Sequence, residues 1–188
     1  SIHLGGRVMD AAHIEKHYGR TWGPVVRRAR PEAGPVHQLP KEFEVLVFRR
    51  RDTLLYATCC MSLPSDEERV ELHLLTRSTE GFHPELIELM AAVAHYHRTG
   101  ARLGLGHSVN FGRPWTEGAT SSFGLISLPY LDGPSLEWMV APAVRCLWLI
   151  PITEEEREFK KSAGTEALEQ RLEAAQFDYL DPFRRSVI

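Results

Sequence analysis

Leu86, Leu89, Met90, Val93 and Tyr96 recur at spacings of three and four, the period of one helix face, and predict a helix from Pro84 to Arg98 that Gly100 ends. Pro84 suits its first turn. Ahead of it lie three β-rich runs, Glu44 to Phe48, Thr53 to Met61 and Val70 to Thr76. Arg49 to Asp52 reads as a turn, and the short polar links predict an antiparallel meander. The first run alternates poorly and reads as a buried strand. The third sets Val70, Leu72 and Leu74 against Glu71, His73 and Leu75. Behind the helix a glycine-rich connection, Ala101 to Ser121, holds a short strand at His107 to Phe111. Ser122 to Leu128 and Val144 to Ile150 are further strands. Thr153 to Ser162 and Thr165 to Ala175 predict two helices parted by Gly164, and Thr153 with Glu156 forms a capping box. Near the amino end, Asp10 to Tyr18 predicts a short amphipathic helix capped by Asp10 and stopped by Gly19. Pro24, Pro31, Pro35 and Pro40 predict loop or extended chain from Gly19 to Pro40. This order predicts one α+β domain over residues 1–188, a mostly antiparallel or mixed β-sheet with helices packed on it.

Composition narrows the function classes. The 188 residues are 43% hydrophobic and 25% charged, within the range of ordinary globular domains. No apolar run approaches the 18 or so residues of a membrane helix, and the first ten residues lack the blocks of a signal peptide. A net charge of −3 argues against nucleic acid as partner. The charge is uneven, +5 over residues 1–51, −5 over 52–149 and −3 over 150–188. Cys59, Cys60 and Cys146 make an odd count with two adjacent, which fits a reducing, cytoplasmic compartment.

The candidate chemistry is thin. His13 and His17 are four apart and could share a metal, but no third ligand is indicated by spacing; a surface helix with two polar histidines is the expectation, with no metal and no cofactor. His95 and His97 point to different helix faces. His107 and Ser108 invite a hydrolase reading, yet no nucleophile elbow is present, and a loop serine beside a histidine usually bonds backbone. Gly104-Leu105-Gly106 follows a helix and so lacks the dinucleotide-binding context. Glu154, Glu155 and Glu156 read as a first helical turn. Arg49, Arg50 and Arg51 read as a solvated turn.

Several motifs, in order, resemble the Suppressor of fused-like domain. At the carboxy end these are Pro151, Ile152, Thr153 and Glu156, then Gly164 and Leu168, then Asp181, Pro182, Arg184 or Arg185, Ser186 and Val187. In the middle, Thr58, Met61, Ser62 and the strand RVELHLL resemble the family's T-x-G-M-S…R-x-E-L segment, with Cys60 where the family has glycine. FHPELIELMAAVAHY and GLGHSVNFGRPW resemble its helix and Gly-His segment. The resemblance implies protein binding without enzymatic activity. Eukaryotic relatives clamp an extended peptide; many bacterial single-domain relatives are taken as immunity proteins that neutralise a toxin. The family's peptide-contacting tyrosine matches Tyr96, and its aspartate position is His107 here, which removes a carboxylate acceptor. The expected partner-binding face therefore carries Tyr96, His107 and the loop as far as Trp115, and the expected partner is a protein, possible classes including a cognate toxin. Eighteen arginines against four lysines are compatible with a bacterial source. The alternative from another class is a small hydrolase or metal-dependent enzyme using His107 and its loop neighbours.

Overall fold

A computed structural model describes residues 2–32 and 36–188. Helix α1 (Ile2–Trp22) leads into strand β1 (Val25–Ala29). The meander follows as β2 (Glu44–Arg50), β3 (Thr53–Cys59) and β4 (Val70–Arg77), then helix α2 (Pro84–Thr99). Next come β5 (Ser108–Asn110), β6 (Phe123–Ser127), the single-turn α3 (Pro134–Glu137), β7 (Trp138–Met139) and β8 (Val144–Ile152). Helices α4 (Glu154–Ala163) and α5 (Thr165–Ala174) close the list. One mixed sheet runs β1-β2-β3-β4-β8-β6-β5, with β7 beside β8. Among the described residues, only β4 and β8 pair in parallel. The architecture is α+β, a single sheet left open at both edges.

The sheet is covered on both faces, and that explains the poor alternation of β2. Val45 and Val47, with Leu54 and Tyr56 of β3, face α2 and meet Leu86, Leu89, Met90 and Val93. Leu46 and Phe48, with Leu55 and Ala57, face Ile14, Tyr18 and Trp22 of α1. The expected alternation of β4 holds with both faces covered: Val70, Leu72 and Leu74 join the α2 side, Leu75 and His73 the α1 side, and Val70 to Thr76 is buried throughout. Leu168 and Leu172 of α5 join the α1 side of the sheet.

The amino-terminal expectations need correction. The helix extends well beyond Asp10 to Tyr18. Asp10 lies inside it and does not cap it; its carboxylate takes two bonds from Arg69, at 2.8 and 2.7 Å. Gly19 is helical, and the chain leaves the helix at Gly23, whose φ of +85° suits glycine. A mid-helix glycine costs about 1 kcal/mol, which the buried, stacked rings of Tyr18 and Trp22 offset. The stretch expected as loop or extended chain is extended at β1, which pairs with β2 at the sheet edge; its residues 33–35, Pro35 included, lie outside the described residues. The arginine turn is also smaller than expected. Arg49 and Arg50 belong to β2, and Arg50 is ion-paired with Asp132, which also accepts from Trp22 Nε1 at 3.3 Å.

Two buried polar networks account for the motif residues. Glu71 is fully buried and accepts from Thr58 Oγ1 (3.0 Å), Met61 N (2.8 Å), Ser62 N (2.9 Å) and Ser62 Oγ (2.6 Å). Arg69 donates to Ser62 Oγ at 3.0 Å and carries the network to Asp10. Cys60 sits in this turn at φ +66°, a conformation glycine adopts freely, so the family's glycine and this cysteine serve one turn. The second network centres on Glu156. Both capping-box bonds with Thr153 are present. Arg184, not Arg185, holds its carboxylate at 2.9 and 2.8 Å and donates also to the Pro151 carbonyl at 2.9 Å. Val187 N donates to Glu156 at 3.0 Å, so the tail is tied to the start of α4.

Candidate partner-binding site

Tyr96 lies near the carboxy end of α2 and is 44% exposed. Its ring packs over Gly100, where a Cβ would stand 2.8 Å from Tyr96 Cδ2 and 2.9 Å from its carbonyl oxygen. The end of α2 is held rigidly beneath it. Arg98 donates to Asp66 at 2.6 and 3.1 Å, and both side chains are nearly buried. His97 is buried, and its Nδ1 accepts from Leu103 N at 2.9 Å, which tethers the loop between Gly100 and β5. Leu103 enters the core on the α2 side.

Replacing His97 with alanine leaves the Leu103 N–H without its acceptor, at a cost of about 1–3 kcal/mol. Acid has a similar effect. Burial first, then the Arg102 and Arg98 charges, lower the His97 pKa from 6.5 to about 4. The neutral ring contributes stability that is full above the unfolded value of 6.5 and is lost as pH falls toward 4. Amide protection of residues 101–106, each rate referred to the intrinsic rate at the same pH, should fall in the variant at pH 7 and in the parent at pH 4; equal protection in all three conditions would contradict the tether.

His107 follows Gly106 at the mouth of β5 and is exposed. Its Nδ1 accepts from Gly104 N at 3.1 Å, which folds the loop back on itself. The His107 carbonyl accepts from Ile126 N at 2.9 Å and starts the pairing with β6. Val109 pairs with Gly124, and just beyond the strand Phe111 N donates to Ser122 O at 3.0 Å. Alternation along an antiparallel pair then turns the main-chain groups of Val109 toward β6 and those of Ser108 and Asn110 outward. On that outer side β5 has no strand partner among the described residues. The edge is braced from behind by the junction of α4 and α5. Lys160 donates to Ser108 Oγ at 3.3 Å, and Thr165 Oγ1 donates to the Gly106 carbonyl at 3.1 Å. Burial, then the charges of Arg157 and Lys161, lower the Lys160 pKa.

The structure separates the three expected residues. Tyr96 and His107 are exposed at the two ends of one tethered loop, with no hydrogen bond or ring contact between them among the described residues. Trp115 is 4% exposed and packs in the core, so it supports the loop from inside and presents almost no surface. Ser108 and Asn110 lie within the loop expected to bind, from His107 to Trp115, but sequence reading did not single them out, because which residues of β5 turn their main chain outward depends on its register with β6. The expected polar pair on α1 also divides. His13 is exposed, whereas His17 is buried and donates from Nε2 to the Leu136 carbonyl at 2.7 Å. Among the described residues, no three histidine, cysteine or acidic side chains gather as a metal site would require. No described helix is long and apolar enough to cross a membrane.

Comparison with known proteins gives the fold its relatives. The family model described as Suppressor of fused protein (SUFU) matches residues 40–185. The chain belongs to the Suppressor of fused family. A crystal structure described as a SUFU homologue from Neisseria gonorrhoeae FA 1090 is 29% identical, with a TM-score of 0.83 over 96% of this chain and 98% of that one. The structure named the Sufu-Fu complex matches at 12% identity and a TM-score of 0.72, over 95% of this chain and 92% of that one. Drosophila Suppressor of Fused matches at 14% identity and a TM-score of 0.69; the match spans 95% of this chain but 51% of the Drosophila one. At these last two identities the likeness is one of fold. A search of the curated proteins found no match. Within the SUFU domain the motif residues Thr58, Ser62, Glu71, Glu156 and Arg184 turn out to be structural.

Proposed function

We propose that this SUFU-type chain is a non-enzymatic binding module that takes an extended segment of a partner protein along the outer edge of β5. The observation that carries the reading is the unpaired edge itself, short, braced from behind and led into by exposed His107, with Tyr96 exposed at the other end of the same loop. A strand added there gains main-chain hydrogen bonds from Ser108 and Asn110, while Tyr96 and His107 contact its side chains. The relative crystallised as a Sufu-Fu complex supports a protein as partner. The finer reading is an immunity protein of the bacterial cytoplasm whose partner is a toxin; the similarity of the whole chain to a bacterial homologue supports it. Binding is favoured over hydrolysis by His107 because its Nδ1 is taken up by Gly104 N and no hydrogen bond joins it to Ser108 Oγ.

The test starts from a partner captured from the native host with the tagged chain. Tyr96→Ala, His107→Ala and Asn110→Pro should each weaken binding at least tenfold while leaving the melting curve cooperative. Three folded variants that bind as tightly as the parent would place the interface elsewhere. For the finer reading, the partner expressed alone should arrest growth, and co-expression of the parent chain should restore it. A partner with no effect on growth would overturn the toxin assignment.

A further inference from the structure

A second concave surface lies on the opposite face of the sheet from α2. It is a groove of about 520 Å³ between α5, the β6 and β8 strands and the tail. That size falls in the range of about 300–1,000 Å³ typical of ligand pockets. Its floor is aromatic. Trp148 is nearly buried and meets Tyr179 edge-on, with ring centroids 5.4 Å apart, and Tyr179 meets Phe177 at 5.9 Å. Its rim carries the exposed side chains of Tyr130 and Leu131, 60% and 44% accessible. One wall is the face of α5 that bears Glu166, Glu169 and Glu173, spaced by three and four so that they line up.

The charges of this groove are one-sided. Three carboxylates line it and no arginine, lysine or histidine does. Glu169 is occupied, accepting from the Tyr130 hydroxyl and from Ser127 Oγ. Glu166 and Glu173 make no ion pair with any described residue. Arg171 lies on the same helix, but its guanidinium is over the Phe159 ring, 5.3 Å from the centroid, outside the groove. Arg77 is already paired with Asp178, and Arg184, which stands over the Phe177 ring 5.3 Å from its centroid, is committed to Glu156 and the Pro151 carbonyl and does not line the groove. The groove therefore offers an apolar π-rich floor beside two unneutralised carboxylates. A guanidinium matches both features at once: it stacks on aromatic faces and bonds carboxylates in pairs.

We infer that this groove is a second docking site, specific for an arginine-bearing segment of a partner protein, with the guanidinium on the aromatic surface of Tyr130 and Tyr179 and against Glu166 and Glu173. The site is independent of the β5 edge and does not rest on the proposal made for it. A partner engaging both surfaces would gain by linkage of two weak contacts.

The test uses an acetylated, amidated nonapeptide of alternating arginine and leucine, and a twin with citrulline in place of arginine. Each is titrated into the uniformly labelled full chain and followed by amide chemical shifts. The arginine peptide should shift residues 127–131, 166–173 and 177–179, and the citrulline peptide should bind at least tenfold more weakly. Combined Glu166→Gln and Glu173→Gln should weaken the arginine peptide at least tenfold. Combined Glu154→Gln, Glu155→Gln and Glu158→Gln removes more charge, outside the groove, and should change affinity less than twofold. Shifts centred elsewhere, equal binding of the citrulline twin, or equal losses from the two sets of substitutions would overturn the site. The Tyr96→Ala variant should bind the peptide as the parent does, which separates failure here from failure at the β5 edge.

Discussion

Arg184→Ala should lower stability by about 3–5 kcal/mol, because it strands a buried carboxylate. Glu156 is 0% exposed and Arg184 8%, so water cannot replace the guanidinium without opening the structure. The same side chain bonds the Pro151 carbonyl at the end of β8, and Glu156 in turn holds Thr153 N and Val187 N. One substitution therefore loosens the tail, the start of α4 and the end of a central strand together. Arg184→Lys should recover only part of the loss, since one ammonium cannot span both carboxylate oxygens and the carbonyl. Arg185→Ala is the control; that residue is exposed and should change stability by less than about 0.5 kcal/mol. Burial pushes the Glu156 carboxyl up, but the Arg184 bonds and charge, with the Thr153 and Val187 amides, outweigh it and leave the pKa below 4.5. Its contribution is present above 4.5 and is lost as pH falls through the folded value. Urea unfolding at pH 7 checks the variants, and a loss under about 1 kcal/mol for Arg184→Ala contradicts the network.

Glu71 should give the opposite pH dependence. Burial without a directly paired cation raises its pKa from 4.5 to about 7, against the pull of the Ser62, Met61 and Thr58 donors. A carboxyl with a raised folded pKa contributes stability that is full below the unfolded value of 4.5 and is lost as pH rises through about 7. The lost amount is about 3 kcal/mol by pH 8. Glu71→Gln cannot ionise, and its amide nitrogen faces a main-chain N–H that the carboxylate had accepted from, at a cost of about 1–3 kcal/mol. Relative to the variant, the parent should therefore lose about 3 kcal/mol between pH 4.5 and pH 8. His73 and His97 titrate in both proteins and cancel in the difference. Urea unfolding of both proteins across that range checks it. A difference that stays level, or that grows in favour of the parent as pH rises, would mean the four donors hold Glu71 ionised.

Local pattern carried the meander, α2, the α4–α5 pair and the capping box, because each depends on neighbours within a few residues in the chain. The resemblance carried the family, and its motif residues proved to be those that meet in the two buried networks. What stayed hidden depends on distant contacts. The run of α1 past Gly19 is set by Tyr18 and Trp22 packing on β2 and β3. β1 is an edge strand of mostly exposed residues between prolines, so it shows no apolar period. The parallel pairing of β4 with β8 joins residues far apart in the chain. Trp115 in a glycine-rich loop looks like a surface residue until the core closes over it. The groove against α5 draws its floor from β8 and the tail and its rim from the loop after β6, and no single stretch displays it.

Amide hydrogen exchange of the chain, free and saturated with its captured partner, tests the binding edge most directly. The account predicts slowing at Ser108 and Asn110, whose N–H groups face outward, with little change at Val109, already bonded to β6. Slowing confined to other segments, with Ser108 and Asn110 exchanging as in the free chain, would contradict it.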